Sequence, residues 1–124
     1  MGLDMYAFSV AQNDGNEQFA VADGNPRTEI AYWRKFNALH GWMEDLAVEL
    51  GFDGVFNCVP VQLSPALIDR LEQDLKNNQL KPRAGFFFGS QEIYPKDVES
   101  TVTFIKAARA EFDAGNDVYY DSWW

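Results

Sequence analysis

The sequence is short of the residues that most site chemistry relies on. Cys58 is its one cysteine and His40 its one histidine. A single thiol rules out an intrachain disulfide and fits a reducing, cytoplasmic setting. There is no Cys-x-x-Cys, no His-Glu-x-x-His and no second histidine, so no metal-ligand pattern is present and no cofactor is implied. Long apolar runs are missing too: none approaches the ~20 residues that a membrane-spanning helix needs. The opening MGLDMYAFSV has no basic stretch followed by an apolar run, so it does not read as a signal peptide. Tyr6 stands where a myristoylation signal has Ser or Thr. Bases are scarce, with 10 Lys and Arg against 19 Asp and Glu and a formal net charge of -9. Asp4, Asp14, Glu17 and Asp23 all precede the first base, Arg27. Phosphate binding needs clustered bases, so nucleic acid is excluded as an expected partner. The charge suits solubility, or docking on something basic.

Aromatics are plentiful, at 15% of the residues, and four of them crowd into the closing YYDSWW. A chain of 124 residues is read as one domain, 1–124, long enough to bury a core without staples. Strand formers mark 3–11, and NDGN at 13–16 is a turn signal, which makes 17–23 a partner strand in a hairpin. TEIAYWRK at 28–35 reads as a third strand, with Ile30 and Tyr32 on one face and Glu29 and Trp33 on the other. Asn37 is placed to cap a helix whose apolar stripe runs through Leu39, Trp42, Met43, Leu46 and Leu50, closed by Gly51. Residues 55–63 read as an edge or irregular strand because Pro60 cannot donate to a ladder. Ser64 and Pro65 start a second helix with a Leu67, Leu71, Leu75 stripe. AGFFFGS reads as a short buried strand, 84–89. Pro95 opens a third helix that buries Val98, Val102, Ile105 and Phe112. DVYYDSWW has the length and composition of a last strand, 117–123, rather than of an exposed sticky end. The expected class is α+β: a single sheet of about five to six mainly antiparallel strands covered by three helices.

Few groups carry obvious chemistry, and no residue is assigned a catalytic role. His40 lies near the start of an amphipathic helix, where a lone histidine is usually structural. Cys58 sits in an apolar segment and reads as a buried small hydrophobe; a nucleophilic role beside His40 is the alternative. Gly89 and Ser90 offer backbone and hydroxyl donors to a ligand, or Gly89 simply turns the chain. Arg34 and Lys35 are adjacent bases beside Tyr32 and Trp33. They either hold an anion with an aromatic ring stacked on it, or pair with Asp117 and Asp121 of the tail. The candidate ligand- or partner-binding set is Tyr32, Trp33, Arg34, His40, Gly89, Ser90, Asp121 and Trp123.

The blocks MGLDMY, EIAYWRKFNALHGWM, GFFFGS and DSWW together resemble a family of small proteins encoded by tailed bacteriophages and prophages. The resemblance spans most of the chain. Some members carry a phosphoglycerate kinase label, which a chain this short, with no nucleotide motif, does not support. The resemblance implies a viral accessory protein in the cytoplasm of a bacterial host. Its expected action is non-enzymatic binding of a host or anti-phage defence protein through an acidic surface. The second expectation is a sponge or small enzyme for an anionic or nucleotide-like ligand. A pocket lined by Trp33, Arg34, His40 and Trp123 would favour that second expectation, and a convex acidic face over a filled core would favour the first.

Overall fold

A computed structural model describes residues 2–85, 89 and 92–124. In chain order the elements are β1 (Asp4–Ala11), β2 (Thr28–Arg34), α1 (Asn37–Glu49), β3 (Val61–Leu63), α2 (Pro65–Lys76), α3 (Pro95–Asp113) and β4 (Asn116–Trp123). Among the described residues the strands form one antiparallel sheet of 4 in the order β2-β1-β4-β3. The class is therefore α+β as expected, with a smaller sheet.

The tail is a central strand. β4 pairs with β1 along its whole length, from Asp4 opposite Trp123 to Ala11 opposite Asn116, and with β3 on its other side. Burial explains why the chain invests aromatics there: Tyr119 and Tyr120 are fully enclosed, one on each face of the sheet. One face meets the helices. There Met5, Ala7, Trp33, Val61, Val118 and Tyr120 pack with Leu39, Met43 and Leu46 of α1, Ile68 and Leu71 of α2, and Phe104 and Ile105 of α3. On the other face a second, smaller cluster joins Phe8, Val10 and Tyr119 under Val21 of the 12–27 connection.

That connection replaces the expected strand at 17–23. Asparagine side chains anchor it in place of a ladder: Asn16 Nδ2 donates to the Asp117 carboxylate of β4 (2.8 Å), Asn16 Oδ1 accepts from Ala22 N–H (3.0 Å), and Asn25 Nδ2 donates to the Ala11 carbonyl of β1 (2.8 Å). Asparagine competes with regular structure in this way. A single bridge, Glu17 to Ala20, is all that remains of a strand there. The Tyr119 hydroxyl lies 2.7 and 3.0 Å from the Glu17 and Ala20 carbonyls and ties the connection to the sheet.

The expected strand at 55–63 shrinks to Val61–Leu63. Before it the chain is irregular, and Cys58 adopts a positive φ of 59° with its thiol exposed, so it is not the buried hydrophobe the composition suggested. Asn57 compensates: its side chain donates to the Trp124 carbonyl (2.6 Å) and accepts from the Trp124 N–H (2.9 Å), standing in for a strand neighbour. Ala84 and Gly85 belong to no strand, and 86–88 of that expected strand fall outside the described residues.

Helix starts follow local chemistry in two cases of three, with Pro95 opening α3 as expected. Ser64 Oγ accepts the Leu67 N–H (3.2 Å) and Pro65 occupies the first turn of α2. Asn37, expected to cap α1, is instead its first helical residue; it is buried, and its Oδ1 accepts the Arg83 N–H (2.9 Å). On α3 the buried face is Thr101, Phe104, Ile105 and Ala108, which leaves Val102 41% exposed, contrary to the expected stripe.

Candidate functional site

The three helices lie on one side of the sheet and the 12–27 connection covers part of the other. Among the described residues, what remains uncovered is a patch over β2, β1 and the end of β4. It carries Asp4, Tyr6, Glu29, Tyr32, Arg34, Asp121 and Trp123. A β-bulge puts Glu29 there. Ala7 faces Ala31 while the next residue, Phe8, faces Glu29, so Ile30 is the extra residue and Glu29 shares a face with Tyr32.

The patch is organised around Asp4. Its Oδ1 accepts from the Tyr32 hydroxyl (2.6 Å) and from Arg34 Nη1 (2.9 Å). The hydrogen bond to Asp4 raises the Tyr32 pKa, so the phenol stays a donor. Tyr6 leans on Tyr32 with ring centroids 5.3 Å apart, its own pKa raised by burial and by the Asp4 charge. Further along, Arg27 sits 4.4 Å over the Phe8 ring and 3.4 Å from Asp121. Burial pushes the Asp121 carboxyl up, while the Ser122 N–H (2.7 Å) and Arg27 favour its charged form. Trp123 is 66% exposed and Tyr32 46%. A hollow of about 450 Å³ lies among Gly2, Asp4, Trp123 and Trp124, and one of about 210 Å³ among Tyr6, Phe8, Arg27, Glu29 and Asp121.

The remaining candidates lie elsewhere. Trp33 faces the helices, donating its indole N–H to Thr101 Oγ1 (3.1 Å) and meeting Phe104 edge-on at 5.2 Å. His40 is fully buried, with Nδ1 2.7 Å from the Tyr120 hydroxyl and its ring 5.3 Å from Phe56. Burial, with a smaller contribution from the Arg83 charge, lowers its pKa to about 4, while burial raises that of Tyr120 well above 10.0. The pair is thus a neutral hydrogen bond in the core. Gly89 has a φ of 82°, and a side chain there would meet the Lys35 stem at 2.9 Å; Ser90 lies outside the described residues.

No family model, curated protein or solved structure matches the chain. Its chemistry is therefore read from its own residues. The sheet separates Tyr32, Arg34, Asp121 and Trp123 from Trp33 and His40, so these do not line one pocket. Arg34 is held internally, but by Asp4 and not by Asp117 or Asp121, because β1 lies between β2 and β4. Asp121 pairs with Arg27 and Asp117 bonds Asn16. Among the described residues no three His, Cys, Asp or Glu side chains gather as a metal site, and no helix is long and apolar enough to cross a membrane. The candidate set omitted Glu29 and Arg27. A strict two-residue alternation hid Glu29, and Arg27 looked like part of a turn.

Proposed function

We propose that this is a phage-encoded accessory protein that acts by non-enzymatic binding, docking on a bacterial host protein through the uncovered patch of its sheet. The observation that carries this reading is the patch itself. Trp123 and Tyr32 are large, rigid aromatics left exposed beside a pre-organised Asp4–Arg34–Tyr32 cluster, on a sheet whose other face is filled. Aromatics and arginine are the residue types that dominate protein–protein contacts. A net charge of -9 favours a partner with a basic surface, steering encounter over distances beyond direct contact. The resemblance to phage proteins supports a host target. The reading of a pocket for an anionic ligand is the weaker one, since its residues lie on two sides of the sheet and His40 is sealed in the core.

The experiment is an affinity capture from bacterial lysate with the wild type, Tyr32→Ala/Trp123→Ala, and Val102→Ala on the exposed side of α3. The expected result is one host protein retained by the wild type and Val102→Ala and lost by the double variant, with the melting temperature of the double variant nearly unchanged. Equal retention by all three proteins, or no retained protein at all, would sink the proposal.

A further inference from the structure

Apart from that patch, a cleft opens where β3 runs into α2, bordered by the ends of α1 and α3 and by the start of β4. Its volume is about 580 Å³, within the ~300–1,000 Å³ typical of small-molecule sites. We propose that it binds a neutral saccharide of one or two rings.

Charge narrows the ligand class first. No lysine or arginine lines the cleft, and the carboxylate of Asp117 does, so an anion would find repulsion and no counter-charge. A lone carboxylate that already accepts from Asn16 (2.8 Å) is also a poor seat for a cation. Besides Asp117, the polar wall consists of groups that both give and take hydrogen bonds: the carboxamides of Gln12, Gln18, Gln62 and Asn116 and the hydroxyl of Ser64. Gln18 Nε2, Asn116 Nδ2 and the Ser64 hydroxyl are already engaged, by the Gln62 carbonyl, Glu111 and the Leu67 N–H, while among the described residues the Gln12 and Gln62 carboxamides have no hydrogen-bond partner. Hydroxyl groups, which donate and accept alike, are their natural complement. The opposite wall is apolar. Leu50 is 38% exposed and Phe112 half-buried, which supplies surface for the C–H face of a sugar ring.

An extended peptide has similar polarity but fits less well. A peptide would add to the free edge of β3 through main-chain bonds. That edge is taken: the Gln62 N–H donates to the Gln18 carbonyl (2.8 Å), and Gln18 Nε2 donates to the Gln62 carbonyl (2.7 Å). A compact ring needs no ladder.

The test is an NMR titration of the isotope-labelled full chain with maltose, lactose, cellobiose and N,N′-diacetylchitobiose at millimolar concentration. N-acetyl-trialanine amide serves as the peptide probe. At least one disaccharide should give saturable shifts confined to the cleft. Gln62→Ala should weaken that binding about fivefold, the worth of one ordinary neutral hydrogen bond. Gln12 is exposed, so Gln12→Ala should weaken binding similarly without touching the fold, which covers the case in which Gln62→Ala misfolds. The proposal fails if no disaccharide saturates, if Gln12→Ala binds like the wild type, or if the peptide probe binds the cleft more tightly than every sugar.

Discussion

At the scale of single residues, His40 has the most definite consequence. The unfolded chain's histidine takes up a proton near pH 6.5, whereas the folded chain's refuses it until about pH 4. The unfolded state therefore binds more protons between these values. The stability His40 contributes is complete above about 6.5 and is lost as the pH falls toward 4, on the order of 3 kcal/mol in all. Urea unfolding at stepped pH should show this loss in the wild type. His40→Gln, whose carboxamide takes up no proton in this range, should lack that part of the slope. Parallel slopes would mean that the imidazole ionises in place. The sequence left His40 open, in the candidate binding set although a lone histidine near a helix start is usually structural, and it could not place Tyr120 beside it, because the two are brought together only by the docking of α1 on β4.

At the scale of elements, legibility followed how local the cause was. β1, β2, β4 and α2 were readable because alternation, a Ser-Pro start and a terminal run of strand formers are local signals. The 17–23 segment misled because its alternation is real while its backbone groups bond the Asn16 side chain, the Tyr119 hydroxyl and the Gln62 N–H instead of a ladder on β1. The faces of β2 misled because one extra residue, Ile30, exchanges the two sides partway along, and nothing in TEIAYWR marks a bulge. The candidate patch was legible in part for the same reason: its aromatics were visible as residues, but not which side of the sheet they would occupy. β4 yields the element-scale prediction. Deleting 119–124 removes Tyr119 and Tyr120 and leaves the remainder of β1 and β3 without their shared neighbour. One buried aromatic is worth roughly 1.5–3 kcal/mol, so the truncated chain should lose its cooperative thermal transition. A melting temperature equal to that of the full chain would contradict the central position of this strand.

For the whole molecule, the balance of charge is reinforced by how the bases are used. Arg27, Arg34, Arg70, Arg83 and Arg109 are each engaged by a carboxylate: Asp121, Asp4, Glu49, Glu44 with Asp45, and Glu72 with Asp69. A guanidinium so held has little left to offer a phosphate. Duplex DNA should therefore show no binding in a fluorescence-anisotropy titration at physiological salt. Micromolar binding that weakens steeply as salt is added would overturn this.

The pairing of the first strand with the last also bears on how the protein is made. β1 is synthesised early, yet its inner edge meets no partner until β4 has followed α3 out of the ribosome. Contacts so distant along the chain form late, because loop closure costs entropy before pairing rewards it. Until then DMYAFSVA is a bare, β-prone edge of the kind that templates aggregation. The protein is most exposed to misassembly before it is fully synthesised, and soluble yield should depend on how promptly α3 and β4 are delivered.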